Sequence, residues 1–229
     1  EHTTYDYQMG IGLSTSFTGE DSLDVAIDIG GGTPATQSAA AAAMGFDANG
    51  GVMTVDGVTY SFPLGGASVV VGDATDISAS FTGACSYSAF TDYMGDCGTG
   101  NSIGVGGQGV TATAGYAFDS GFSLAGGVSS PQSGILTEGS TDKYGIEAAY
   151  TADSYGVSLA YVDAETTTYW GLNGTYSFDV VSLSAGYEVE DTDDVDEKSG
   201  YFLGATFDEV GPGSVSVGMA TIGNYTDDA

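Results

Sequence analysis

An alternation of period two constrains this chain more than any other feature. In TTYWGLNGTYSFDVVSLSAGYEVED, residues 167–191, Trp170, Leu172, Tyr176 and Phe178 fall on one side, and Gly171, Asn173, Thr175 and Ser177 on the other. After Asp179 the count restarts, and Val181, Leu183, Ala185, Tyr187 and Val189 alternate with Ser182, Ser184, Gly186, Glu188 and Glu190. Successive side chains of a β-strand point to opposite faces, so each half reads as a strand with one apolar and one small polar face.

The pattern recurs along the chain. Tyr5, Tyr7, Met9, Ile11, Leu13 and Phe17 oppose Asp6, Gln8, Gly10, Gly12, Ser14 and Ser16, and Leu23, Val25, Ile27 and Ile29 oppose Asp24, Ala26, Asp28 and Gly30. Segments near 53–63, 66–73, 108–118, 121–129, 143–151, 154–163, 199–208 and 213–222 bring the expected number of strands to twelve. Connections alternate in length. Short ones fall at Thr18–Asp21, Pro63–Gly65, Asp119–Ser120, Ala152–Asp153, Asp179 and Glu209–Gly213; longer ones lie near 31–52, 74–107, 130–141, 164–167 and 191–198. An up-and-down meander with one tight rim and one long-loop rim gives this rhythm. The run SAAAAAM from Ser38 reads as one or two helical turns within a loop.

Composition decides which face meets which solvent. The chain has 31 acidic residues against 2 lysines and no arginine, for a formal charge of -29, so it has no clustered cations with which to bind nucleic acid. Such acidity fits a disordered coil only where apolar residues are scarce, and here 41% are hydrophobic, so the chain folds. No run approaches the 18 or so apolar residues of a transmembrane helix, whereas a transmembrane strand needs only about 9 to 11 residues with one apolar face. A soluble sandwich turns its apolar faces inward and clothes the outside with charged and long polar side chains. The polar face here is Ser, Thr, Gly, Ala and carboxylate, the lining of a barrel whose apolar and aromatic residues face lipid. Such a sheet must close, because unpaired backbone groups are costly in hydrocarbon. Tyr5, Tyr116, Tyr144, Tyr150, Tyr155, Tyr161, Tyr169, Tyr176 and Tyr187 lie near strand ends, where aromatic girdles meet the membrane interfaces. The expected fold is therefore all-β, an antiparallel up-and-down transmembrane β-barrel forming a single domain over residues 1–229.

SFTGEDSL (16–23), YSFPLG (60–65), TTYWGLNGTYSF (167–178) and GATFDEVGPGSVSVGMATIG (204–223) resemble segments of the porins of cyanobacterial outer membranes, in particular the marine unicellular branch. The resemblance spans nearly all of the chain, and the SFTG and SFPLG hairpins are its most specific parts. It implies outer-membrane lipid and lipopolysaccharide as surroundings, and a homotrimer passing small hydrophilic solutes and ions. Family members usually begin with an S-layer-homology domain, a coiled coil and a first barrel strand, and end in a strand with a terminal aromatic. Against that pattern the chain is expected to be incomplete at both ends, twelve strands of a 14- or 16-stranded barrel. It starts at Glu1 without an initiator Met or signal sequence, which marks it as mature or trimmed. Many members carry Arg in the long loop that narrows the pore; the corresponding FTGACSYSAFTDYMGDCGTG (81–100) has none, so pore selectivity does not carry over.

Catalytic chemistry has no foothold. His2 is the only histidine and sits at a terminus, which leaves a Ser or Cys nucleophile without a placed base. Gly30–Pro34 and Gly104–Gly109 are glycine-rich but lack the Lys and following helix of a phosphate loop. No cofactor is expected. Cys85 and Cys97 read as a disulfide, with two free thiols as the alternative; the bridge would imply an oxidising compartment. Asp191, Asp193, Asp194 and Asp196, with Glu197, form an acidic cluster that reads as a solvated loop or as a weak Ca²⁺ site without the glycine and glutamate of an EF-hand.

By the alternation, Asp6, Asp24, Asp28, Glu147, Glu188 and Glu190 face the interior, with Lys143 on the face of Glu147 as its candidate partner. Such a lining attracts cations and repels anions. The loop from Asp76 to Gly107 is long enough to fold back inside, which would place Tyr87, Asp92, Tyr93 and Asp96 at a constriction. These features read as an outer-membrane porin with a mild cation preference. Two rivals remain: a secreted acidic β-protein that binds Ca²⁺, and a non-conducting barrel serving as membrane anchor or phage receptor.

Overall fold

The computed structural model describes residues 5–33, 35–38, 41, 46–75, 77–82, 109–130, 141–220 and 226–227. Its strands are β1 (Gln8–Thr15), β2 (Ser22–Gly30), β3 (Thr54–Leu64), β4 (Ala67–Thr75), β5 (Gly109–Ala117), β6 (Phe122–Ser130) and β7 (Lys143–Thr151). They continue with β8 (Tyr155–Asp163), β9 (Thr167–Ser177), β10 (Val181–Thr192), β11 (Lys198–Val210), β12 (Gly213–Ala220) and β13 (Thr226–Asp227). β1 to β12 lie side by side in chain order, each antiparallel to its sequence neighbours. All twelve expected strands are present. The two-residue β13 pairs with Lys198 and Ser199 of β11, past the last residue that β12 pairs there, Phe202.

The tight rim follows from turn chemistry. Gly65 and Gly66 both take positive φ, 60° and 90°, as the two-residue turn between strands of right-handed twist requires. The β1–β2 turn is built around Asp21. Its Oδ1 accepts from Ser16 Oγ at 2.6 Å, from the Thr18 N–H at 2.7 Å and from Thr18 Oγ1 at 2.7 Å, and Tyr60 OH donates to Oδ2 at 2.7 Å. The SFTGEDSL and YSFPLG segments, 39 residues apart at this contact, thus meet through one hydrogen bond and a Phe17–Tyr60 ring contact.

Burial is the inverse of a soluble sandwich. β7 and β8 alternate exposed and buried at nearly every position; the buried face holds Gly145, Glu147, Ala149, Ser158, Ala160 and Val162. The exposed face holds Ile146 at 64%, Leu159 at 51% and, on β9, Leu172 at 46%. Among the described residues half of the buried apolar side chains are alanines, while leucines or valines of every strand from β8 to β12 stand exposed. A continuous apolar exterior of this extent marks a surface made for something other than water.

Aromatics bound that exterior. Tyr144 and Tyr150 on β7, Tyr155 and Tyr161 on β8, and Trp170 and Tyr176 on β9 are each six residues apart on the outer face, about 20 Å along a strand. At the tight rim the rings touch in series, Phe17–Tyr60–Phe62, Tyr116–Phe118, Phe122–Tyr150–Tyr155 and Tyr176–Phe178.

Tyr169 departs from the expected girdle. The pleat that turns Trp170 outward turns Tyr169 inward, where it packs beside Val162 and Ile77. Of the alanine run, Ala41 is described; it is helical and buried, and its N–H donates to Ser38 Oγ at 3.1 Å. Among the described residues no helix is long and apolar enough to cross a membrane, which says nothing of strands.

Hydrogen bonds hold the Asp21 carboxyl well below the usual carboxylate range, with Ser16 the largest contributor and Tyr60 next. A lowered folded-state value means the charged form stabilises the turn fully at neutral pH, and the contribution is lost as pH falls. Asp21→Asn is expected to lower the unfolding midpoint by several degrees at pH 7, against little change for the exposed Glu20→Gln. The difference from wild type should shrink below about pH 4, where the unfolded carboxyl also protonates. Thermal melts of the detergent-folded protein at both pH values check this; a difference that grows in acid would contradict it.

Candidate functional site

The inner face is the candidate site, because the described part of a long connection docks there. After β4 the chain makes a 3₁₀ turn, Ile77–Ser80, that packs against β4, β5 and β6, and it continues inward to Thr82. Cross-strand registers set the wall beneath it in rows. One row runs Gly127, Gly145, Val162, Tyr169, Glu190, Lys198; the next runs Ala125, Glu147, Ala160, Gly171, Glu188, Gly200.

Small residues make the hollow. A Cβ at Gly145 would lie 2.8 Å from Ile77 Cγ2 and 3.4 Å from Phe81 Cζ, so glycine is what lets the segment approach. Ile77 is fully buried and packs with Val162, Phe81 and Tyr169, a small apolar cluster on an otherwise polar face. Polar contacts complete the dock. The Thr82 N–H donates to Glu147 Oε2 at 2.6 Å, Ser123 Oγ donates to Thr82 Oγ1 at 3.1 Å, and Ser80 Oγ meets Thr113 Oγ1.

The predicted interior carboxylates have different surroundings. Asp24 accepts from Ser22 Oγ at 2.7 Å. Asp28 stands near Asp47 and Asp56 on the long-loop side of β2. Asp6 Oδ1 accepts the Ser38 N–H at 3.3 Å. Glu190 Oε1 pairs with Lys198 Nζ at 3.3 Å, so its charge is offset and it is not the open lining acid expected of it. Glu147 and Glu188 are both buried, at 3% and 4% exposure. Glu147 accepts from the Thr82 N–H rather than from Lys143, which lies four residues along the same strand face. The Cys85–Cys97 bridge and the constriction residues Tyr87, Asp92, Tyr93 and Asp96 lie outside the described residues.

The acidic cluster is not assembled into a metal site. Asp191, Asp193, Asp194 and Asp196 are exposed, and among the described residues no three His, Cys, Asp or Glu side chains are placed to hold an ion. The chemistry available to the wall is therefore that of hydroxyls, amides and carboxylates acting on what passes or docks beside them.

The inward cluster was missed by pattern reading, although a local signal exists. Consecutive aromatics in a strand, Tyr169–Trp170 and Tyr201–Phe202, force one of each pair inward. Tyr169 and the buried Phe202 are those residues. A Cβ at Gly186 would collide with Phe202 Cε1 and Asn173 Oδ1, so Gly186 clears the wall for both side chains.

No family model matches the chain, and no curated protein matches it. Among solved structures, a multiply substituted porin of Rh. blastica is similar at a TM-score of 0.50 and 15% identity, over 97% of this chain and 86% of that one. A structure titled "Asymmetric conductivity of engineered proteins" is similar at a TM-score of 0.50 and 14% identity, with the same coverage. At such identities the likeness shows the fold alone: an all-β, up-and-down antiparallel sheet of the kind that porins have.

Proposed function

We propose that this chain is an outer-membrane porin, a passive and non-enzymatic path for small hydrophilic solutes and ions with a mild preference for cations. One observation carries the reading: large apolar side chains stand on the exposed face between two aromatic belts, while hydroxyls, amides and carboxylates occupy the other face. Lipid is the surrounding that makes this arrangement favourable, since exposure of so much apolar surface to water is costly. The cation preference rests on Asp6, Asp24 and Asp28, which are only partly buried on the inner side, set against few lysines in the whole chain. The homotrimer and the contact with lipopolysaccharide belong to the same reading through the family resemblance, and the mass of the detergent-extracted particle tests the trimer.

A second reading has its own support. Thr111, Ser129, Ser158 and Asn173, all on the inner side, are buried rather than bathed in solvent, which favours an occluded barrel acting as anchor or receptor.

Two measurements decide. Trp170 is the single tryptophan and stands 39% exposed on the outer face. In bilayers its emission is expected to be quenched by brominated lipid and poorly by aqueous iodide; the opposite ranking would exclude a lipid-facing wall. In planar bilayers under a KCl gradient, the reversal potential is expected to favour potassium. The double substitution Asp24→Asn with Asp28→Asn should lower the potassium-over-chloride permeability ratio by about twofold, because two inner charges of one sign are removed. Absence of conductance from the folded, inserted protein would favour the occluded barrel.

A further inference from the structure

The segment Ile77–Thr82 is held to the wall at two separated points of different chemistry. At one, Ile77 and Phe81 sit over Gly145 beside Val162 and Tyr169. At the other, the Thr82 N–H reaches Glu147 Oε2 at 2.6 Å, with Ser123 Oγ on Thr82 Oγ1 at 3.1 Å. Ser80 lies between them, its carbonyl oxygen 2.9 Å from where a Cβ at Gly115 would stand.

Glu147 differs from the two residues it pairs with across the sheet. The residues paired with it across the sheet, Ala125 on β6 and Ala160 on β8, are small and neutral, and they keep the wall thin without needing a charge. A carboxylate buried to 3% exposure loses its hydration and must be compensated by what it touches. Its second oxygen, Oε1, meets no donor among the described residues, so the bond to Thr82 N–H carries the compensation that is visible. At 2.6 Å this is a short bond for a backbone N–H donor.

We propose that Glu147 is the positioning residue of the inner segment, its carboxylate fixing the Thr82 end to the wall between β6 and β8 independently of the apolar contact at Ile77. The proposal rests on the porin reading only for its consequence, the width left beside the segment. The position of the segment itself is a property of the folded chain.

The test is residue-resolved amide hydrogen exchange on the full chain folded in detergent micelles, for wild type, Glu147→Gln, Glu147→Leu and Gly145→Val. Glu147→Gln keeps an acceptor at the same reach, and the Thr82 amide should stay protected. Glu147→Leu removes it, and that amide should exchange about tenfold to a hundredfold faster, the effect expected for leaving a buried donor without its acceptor. Protection of the β7 and β8 ladder should be unchanged in both. Gly145→Val pushes Ile77 and Phe81 off the wall while leaving the carboxylate, and Thr82 should remain protected. Unchanged Thr82 exchange in Glu147→Leu would overturn the proposal. So would equal loss of Thr82 protection in Gly145→Val, or general acceleration through β7 and β8. These readouts need no conductance, so failure here leaves the pore reading standing, and a silent bilayer leaves this one standing.

Discussion

Backbone pairing between sequence neighbours is the constraint on which the rest of the molecule depends. Apolar outer side chains such as those of Ile146 and Leu159 carry no hydrogen-bonding groups, so the backbone N–H and C=O groups are satisfied across the ladder. A meander meets that demand at low entropic cost, since each strand finds its partner across a short turn or a single loop. Once the ladder is fixed, the pleat decides everything about facing. Irregular spacing is absorbed rather than propagated: Ile27 pairs with Val55 and Val25 with Val58, and the bulge at Asp56–Gly57 keeps both valines outward although they are three residues apart.

That dependence explains what was legible in the sequence. Period two is a local property, so twelve strands, two rims and the sidedness of Asp24, Asp28, Glu147, Glu188 and Glu190 follow from residues a few places apart. The dock of the inner segment is a different kind of fact. Glu147 and Thr82 are 65 residues apart and meet only because β5 and β6 bring the wall beside the returning chain. Nothing near Glu147 announces Thr82, and Ile77–Ser80 reads as an ordinary loop. Tyr169 was misplaced for a related reason: tyrosine near a strand end suits a girdle, and only its neighbour Trp170 shows that one of the two must turn inward.

The inner face also shows that facing does not fix what a carboxylate does. Glu190, Glu147 and Asp24 share one side of the sheet and play three parts. Glu190 is offset by Lys198, so in the field of the interior the pair counts as a dipole rather than a charge. Glu147 is buried against Thr82 and acts on the chain that covers it. Asp24, bonded to Ser22 and only partly buried, still presents its charge to the interior.

On the porin reading proposed above, selectivity follows the subset of acids that still meet water, not the number the alternation turns inward. Burial under a docked segment removes an acid from that subset, and a lysine across the ladder neutralises another. The near absence of basic residues limits the second route, because the chain has Lys143 and Lys198 and no arginine. The first route has no such limit. Wherever glycine and alanine thin the wall, as at Gly145, Ala125 and Ala160, a returning segment can come close enough to cover a carboxylate and to be held by it. In this sheet the small residues of the inner face thus do more than leave room: they set where a returning segment can cover a carboxylate.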